Sequence, residues 1–324
     1  MSLIIHQRRG VQIEGVHPVA AVRVDPAGTV IDRIGEPVDA SWRSAAKPIQ
    51  LEANLSLLDP ALVADLSDAD LAVGAASHSA QPMHVDRVLA LLRRLDRTPD
   101  HLFCGAHRPV HSGADHALVR ERQEPSALHN NCSGKHTFMA AGAAQLKGAP
   151  DYRDPAHPLQ VHIRALVEAR CDPHLVKNVS IDGCGVPTFN MSIDAMATAW
   201  AQMAAAMNAE ETLLGRIGWA MNAHPELVSG TDRQDLAQML HATEPITTKV
   251  GAMGLSCIAI PGQEEGIAIK VLSGNPEARA IAVQAVLEHW YPGLLPLSAT
   301  DPWRIVTNCV QDVVGERRAE WRSG

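Results

Sequence analysis

Arg43-Ser44-Ala45-Ala46-Lys47-Pro48 places a hydroxyl and an amine three residues apart, where a stretch that reads as a helix, Ala45–Leu58, begins. At about 3.6 residues per turn, positions i and i+3 share a face. A serine hydroxyl is a weak nucleophile until a base takes its proton, and a lysine held neutral by its surroundings can do so. Taken alone, Ser-x-x-Lys also describes a plain helix start with a solvated lysine. The segment marks a change of pattern along the chain. Before it, Ala20–Val24 and Thr29–Gly35 flank Asp25-Pro26-Ala27-Gly28, which predicts a β-hairpin.

After it, the pattern is mostly helical as far as Leu240, with helices expected at His84–Leu95, Lys135–Leu146, Pro158–Ala169, Asp194–Asn208, Glu210–Asn222 and Asp232–His241. Strands return at Ser256–Ile260 and Gly266–Lys270, followed by a helix at Glu277–Trp290 and a short strand near Arg304–Thr307. This order predicts an α+β fold in one catalytic domain. Both termini build an antiparallel sheet (about 1–43 and 246–324), and a helical lobe (about 44–245) is inserted between them.

The bulk numbers narrow the function. The 324 residues, 46% hydrophobic and 20% charged, are those of a globular chain with a large core. With only 3% aromatics, that core rests on aliphatic residues. A net charge of −8 argues against nucleic acid and anionic membrane surfaces, which basic patches hold. The N-terminus lacks the apolar stretch of a signal peptide, and no apolar run is long enough to span a bilayer. Six widely spaced cysteines do not form a secreted disulfide framework, so the expected location is cytoplasmic, with reduced thiols.

Short loops mixing Gly, Ser, Cys, Lys and His carry the chemistry. Besides Ser44–Lys47 they are Ala75-Ala76-Ser77-His78-Ser79, His129-Asn130-Asn131-Cys132-Ser133-Gly134-Lys135-His136, Ile181-Asp182-Gly183-Cys184-Gly185-Val186-Pro187 and Thr248-Lys249-Val250-Gly251. With Val228-Ser229-Gly230-Thr231-Asp232-Arg233, in this order, they resemble the Asparaginase II family, the rhizobial-type L-asparaginases, over nearly the whole chain. The family's fold resembles that of serine β-lactamases and glutaminases.

The resemblance implies roles position by position. Ser44 is the nucleophile and Lys47 its base, and Ser77 and Lys249 form a second Ser–Lys pair. Cys132, Lys135 and Cys184 bind zinc, a tetrahedral site completed by water. Arg43, Asp182, Thr231 and Arg233 answer the charges of a free amino-acid substrate. The implied reaction is hydrolysis of L-asparagine to L-aspartate and ammonia, in a homodimer. Two alternatives stay open: hydrolysis of glutamine or another small amide or lactam by the same chemistry, and a zinc-holding structural or sensing protein without catalysis. Two positions depart from the family pattern, Met253 where an acidic residue tends to stand and Ser273 where Asp does. Cys104, His107 and His111 also have ligand-like spacing, but Arg108-Pro109 interrupts them and a structural role is expected.

Overall fold

The computed structural model describes residues 1–171, 176–209 and 212–323. It divides into a sheet unit, Met1–Ala45, Met191–Ala205 and Ala237–Gly324, and a helical unit, Ala46–Asn190 and Ala206–Leu236. Among the described residues the strands are β1 (Ser2–Arg9), β2 (Gln12–Val24), β3 (Val30–Ile34), β4 (Asp39–Ser41), β5 (Val176–Ile181), β6 (Pro187–Ser192), β7 (Thr247–Gly251), β8 (Leu255–Ile260), β9 (Glu265–Val271), β10 (Ile305–Thr307) and β11 (Val313–Arg322). The fold class is α+β.

In the sheet unit the strand order is β10-β11-β1-β2-β9-β8-β7, with β3 also paired to β2. All these pairings are antiparallel, so the sheet is built from both ends of the chain, as expected. The hairpin between β2 and β3 forms as the turn residues dictate. Asp25 Oδ1 accepts from the amides of Ala27 and Thr29, and Gly28 takes a φ of 83°. The strand at Ser2–Arg9 and its pairing with the last strand, Leu3 opposite Trp321, had no sequence signal.

Alternation along the strands splits the core in two. Leu3 and Ile5 of β1, Val19 and Ala21 of β2, and Ile267 and Ile269 of β9 share a buried cluster with Ile281 and Leu287 of the helix Pro276–Trp290. The other face is covered by the helix Ile193–Asn208, whose residues up to Ala205 belong to this unit. Helix and strand touch at Gly266. A Cβ there would lie 2.0 Å from the Ala197 carbonyl oxygen and 2.2 Å from the Ala201 nitrogen, so only glycine permits this approach.

The helical unit holds the expected helices with boundary shifts of a few residues: Lys47–Leu55, Pro82–Arg94, Ser133–Ala144 and Pro158–Arg170. The expected start at Glu210 lies outside the described residues, and the helix runs Leu213–Ala223. Helices at Pro60–Asp65, Asp68–Gly74 and Ser112–Arg120 are additional. The structure corrects the mostly helical reading at β5 and β6, neighbours in a second, smaller sheet. Among the described residues no helix is long and apolar enough to cross a membrane.

Candidate active site

The sequence-predicted residues divide between the units. Lys47, Ser77, Cys132, Lys135, Asp182, Cys184, Thr231 and Arg233 belong to the helical unit; Arg43, Ser44 and Lys249 belong to the sheet unit.

In the helical unit, Lys47 opens the helix Lys47–Leu55, every residue of which is buried. Its amine donates to Ser77 Oγ at 2.8 Å and to the Ala76 carbonyl at 2.6 Å, with the Asn131 carbonyl at 3.5 Å. Lys47 is fully buried, and no carboxylate pairs with it among the described residues. Burying an ammonium without a counter-ion is costly, so such a lysine needs strong neutral acceptors, and here they are fixed backbone and hydroxyl oxygens. The loop bearing Ser77 is tied down at its own amide, which donates to the Val228 carbonyl at 2.9 Å.

His78 joins that loop to the next. Its backbone amide donates to the Asn131 carbonyl at 3.2 Å. Its Nδ1 accepts from the Ala80 amide, so Nε2 carries the proton and donates to Ser133 Oγ at 2.8 Å. Burial, with the charge of Lys47 adding to it, holds this imidazole well below the ordinary range, and the ring is neutral.

The second cluster is Cys132, Cys184 and Lys135. Cys132 stands immediately before the helix Ser133–Ala144, and the Asn130 side-chain oxygen accepts from its amide at 2.9 Å. Cys184 sits in a tight turn between β5 and β6, in which the Asp182 amide donates to Val186 and Gly185 takes a φ of 85°. The Lys135 amine reaches Cys184 Sγ at 3.1 Å, and Cys132 Sγ donates to the Asn131 side-chain oxygen at 3.2 Å. The neighbouring Cys184 thiol is the largest influence on Cys132. It outweighs burial and, with the Lys47 and Lys135 charges, puts the Cys132 thiol well below its usual range. The Cys132 thiol and burial push Cys184 up. Burial works against the Lys135 ammonium, but the Cys184 and Cys132 sulfurs and the Asp182 carboxylate overcome it and raise its pKa.

As a donor set for a metal these residues are suitable but unusual. Among the described residues no group of three or more His, Cys, Asp or Glu is placed to hold an ion. Two sulfurs and an amine do converge. A tetrahedral zinc site has an S···N edge of about 3.6 Å, so the 3.1 Å Lys135–Cys184 contact needs to open by roughly half an ångström. The amine and one thiol must lose protons to bind.

Cys104, His107 and His111 are structural, as expected. Cys104 Sγ donates to the Ala127 carbonyl, His107 Nε2 accepts from the Asn131 amide, and His111 caps the helix Ser112–Arg120.

In the sheet unit, Ser44 lies in a 3-10 turn, Arg43–Ala46. Arg43 takes a φ of 50°, a left-handed conformation that costs a non-glycine residue about 1 kcal/mol or more. The segment is held on both sides of Ser44: the Ala45 amide donates to the Trp42 carbonyl and the Trp200 indole donates to the Ala45 carbonyl. Lys249 lies on β7 opposite Cys257 of β8, fully buried, its amine 3.3 Å from the Val250 carbonyl. Burial pushes the Cys257 thiol up to about 12. The two departures from the family pattern adjoin each other: a Cβ on Gly274, next to Ser273, would lie 2.9 Å from Met253 Cε.

Sequence reasoning passed over Asn131, whose backbone carbonyl receives Lys47, and Gln81, which holds Thr231. A backbone carbonyl leaves no mark in residue identity. Gln81 stands two residues outside the Ser-His-Ser pattern with no motif around it.

The α+β chain thus holds a fully buried lysine amine against a serine hydroxyl. The L-asparaginase II family model matches residues 5–318, and the chain belongs to that family, whose members are amidohydrolases. No curated protein matches the chain. Among solved structures, a crystal structure of Mglu is 18% identical, covering 85% of this chain and 67% of that one with a TM-score of 0.42. Mglu in its tris and glutamate form is also 18% identical, covering 85% and 60% with a TM-score of 0.41, and its native form in 4.3M NaCl is 16% identical, covering 86% and 62% at 0.40. The chain thus spans about 60–67% of the length of these structures.

Proposed function

We propose that this chain hydrolyses L-asparagine to L-aspartate and ammonia, with Ser44 as nucleophile and Lys47 as its base. The observation that carries the reading is the fully buried Lys47 amine, 2.8 Å from the Ser77 hydroxyl, in a chain of the L-asparaginase II family. Ser44 Oγ bonds to the side-chain amide carbon as its proton passes to Lys47. The C–N bond then breaks, the proton goes to the departing nitrogen, and ammonia leaves an aspartyl ester on Ser44. Water adds to that ester, its proton follows the same route, and L-aspartate is released with Ser44 restored.

Ser77 and Lys249 take the second Ser–Lys pair's part in moving protons. Arg43, Asp182, Thr231 and Arg233 answer the charges of the substrate's α-carboxylate and α-ammonium. Cys132, Cys184 and Lys135 would hold a zinc ion, which when bound supplies a fixed positive charge that orients the substrate. The reading extends to a cytoplasmic homodimer. The free state of all six cysteines supports the reducing compartment, and light scattering on the purified chain tests the dimer.

Turnover of L-asparagine, L-glutamine and a chromogenic β-lactam, measured side by side, tests the substrate assignment. Ammonia comes chiefly from asparagine if it is right. Turnover of the lactam or glutamine with none of asparagine overturns it.

A further inference from the structure

Two segments of the helical unit, Ser77–His84 and Glu226–Thr231, are laced together at four points. The Ser77 amide donates to the Val228 carbonyl at 2.9 Å, and Ser79 Oγ to the Ser229 carbonyl at 2.8 Å. His84 accepts from the Gln81 amide at Nδ1, which leaves the proton on Nε2 to be donated to the Glu226 carbonyl at 2.9 Å. The fourth point is the Gln81 side chain, which meets Thr231 twice. Its Oε1 accepts from the Thr231 amide at 3.1 Å, and its Nε2 donates to Thr231 Oγ1 at 3.0 Å.

The chemistry of that double contact fixes its polarity. A backbone N–H can only donate, so the Gln81 atom facing it is the carbonyl oxygen. The atom facing the Thr231 hydroxyl is then the NH2 group, which can only donate. Thr231 Oγ1 therefore accepts from Gln81, and its own proton is directed to some other acceptor. Among the described residues none takes it. Arg233, two residues on, is partly exposed and its guanidinium also has no ion-pair or hydrogen-bond partner among the described residues. Gly230 makes the approach possible: its φ is 132°, and a Cβ there would fall 2.6 Å from Ser79 Oγ and 2.9 Å from Gln81 Oε1.

We infer that Gln81 is a positioning residue whose amide holds the Thr231 hydroxyl as a hydrogen-bond donor, so that Thr231 with Arg233 receives the α-carboxylate of the amino-acid substrate and not its ammonium. The inference rests on the amidohydrolase reading above. An uncommitted hydroxyl proton and an unpaired guanidinium attract an anion, and the guanidinium repels an ammonium. The α-ammonium is left to Asp182 among the residues assigned to the substrate.

Steady-state kinetics on L-asparagine with the full-length chain, Gln81→Glu, Gln81→Met, Thr231→Val and the Gln81→Glu/Thr231→Val double variant test this. Glutamate keeps the acceptor for the Thr231 amide but also accepts the hydroxyl proton, and it adds a negative charge near the carboxylate. Gln81→Glu should raise KM by about 10- to 100-fold, the range of a hydrogen bond to a charged group, with kcat within about threefold. Thr231→Val should raise KM comparably, and the double variant should be no worse than the poorer single one. Gln81→Met, which captures no proton, should raise KM less than Gln81→Glu. A role in loop structure alone predicts the reverse order, because glutamate is the better mimic of the native contacts. A KM for Gln81→Glu within twofold of the natural chain, multiplying penalties in the double variant, or a smaller effect for Glu than for Met each overturns the inference. Absence of turnover in the natural chain overturns the parent reading instead, and is seen before any variant is made.

Discussion

Gly134 stands between Cys132 and Lys135, in the first turn of the helix Ser133–Ala144, and it can be tested without touching any group given a chemical role. A Cβ there would lie 2.0 Å from the Val73 carbonyl oxygen, 2.8 Å from the Val73 carbonyl carbon and 3.3 Å from Val73 Cγ2. Ordinary carbon–oxygen contact is about 3.2 Å or more, so Gly134→Ala forces the helix Ser133–Ala144 and the helix Asp68–Gly74 apart by roughly 1 Å in a close-packed interior. Overpacking of this kind costs about 3 kcal/mol when backbone lies on both sides. Alanine returns about 1 kcal/mol through its better helix propensity, which leaves a net loss of roughly 2 kcal/mol. For a chain of this size the melting temperature should fall by roughly 3 °C. A 1 Å displacement of the flanking thiol and amine should also lower kcat/KM by about a hundredfold. The control is Gly262→Ala, where a Cβ meets nothing within 4 Å; it should melt within about 1 °C of the natural chain. If Gly134→Ala melts and turns over like Gly262→Ala, the close helix contact is wrong and so is its part in placing Cys132 and Lys135.

The pH dependence of stability has a predictable sign. Burial holds both His78 and His84 below the ordinary imidazole range, so the folded chain leaves them unprotonated. The unfolded chain takes up a proton at each as pH falls through about 6.5. Stability is therefore full above that pH and falls below it by up to about 1.4 kcal/mol per pH unit for each ring. Urea unfolding between pH 7.5 and 5 should show this decline, shallower in His78→Gln; a flat profile, or one rising towards acid, contradicts it. For the metal, elemental analysis should find about one zinc per chain in the natural protein and in Ser44→Ala, and essentially none in Cys184→Ala. Equal zinc in the natural chain and in Cys184→Ala excludes this ligand set.

The fold and the cluster were legible to different depths, for physical reasons. The β2–β3 hairpin announced itself through Asp25-Pro26-Ala27-Gly28, because turn chemistry is local and residue-specific. The long helices showed through their periodicity, with ends displaced by up to three residues. The pairing of β1 with β11 joins residues over three hundred positions apart, and no local pattern encodes a partner so distant. Strands β5 and β6 are six residues each, too short for their alternation to stand out from the helices around them. In the cluster, side-chain chemistry was visible in Lys47, Ser77, Cys132, Lys135 and Cys184, and the structure places these in the two groups described. The contacts that orient them were not visible. The Asn131 carbonyl and the Val228 carbonyl are backbone groups, and the Gln81 amide acts through a loop about 150 positions away.

Ammonia release from L-asparagine by the natural chain and by Ser44→Ala tests the central claim most directly. The account predicts steady release by the natural chain and a loss of roughly a thousandfold or more in Ser44→Ala, with its melting temperature and bound zinc unchanged. Comparable release by the two proteins would contradict it.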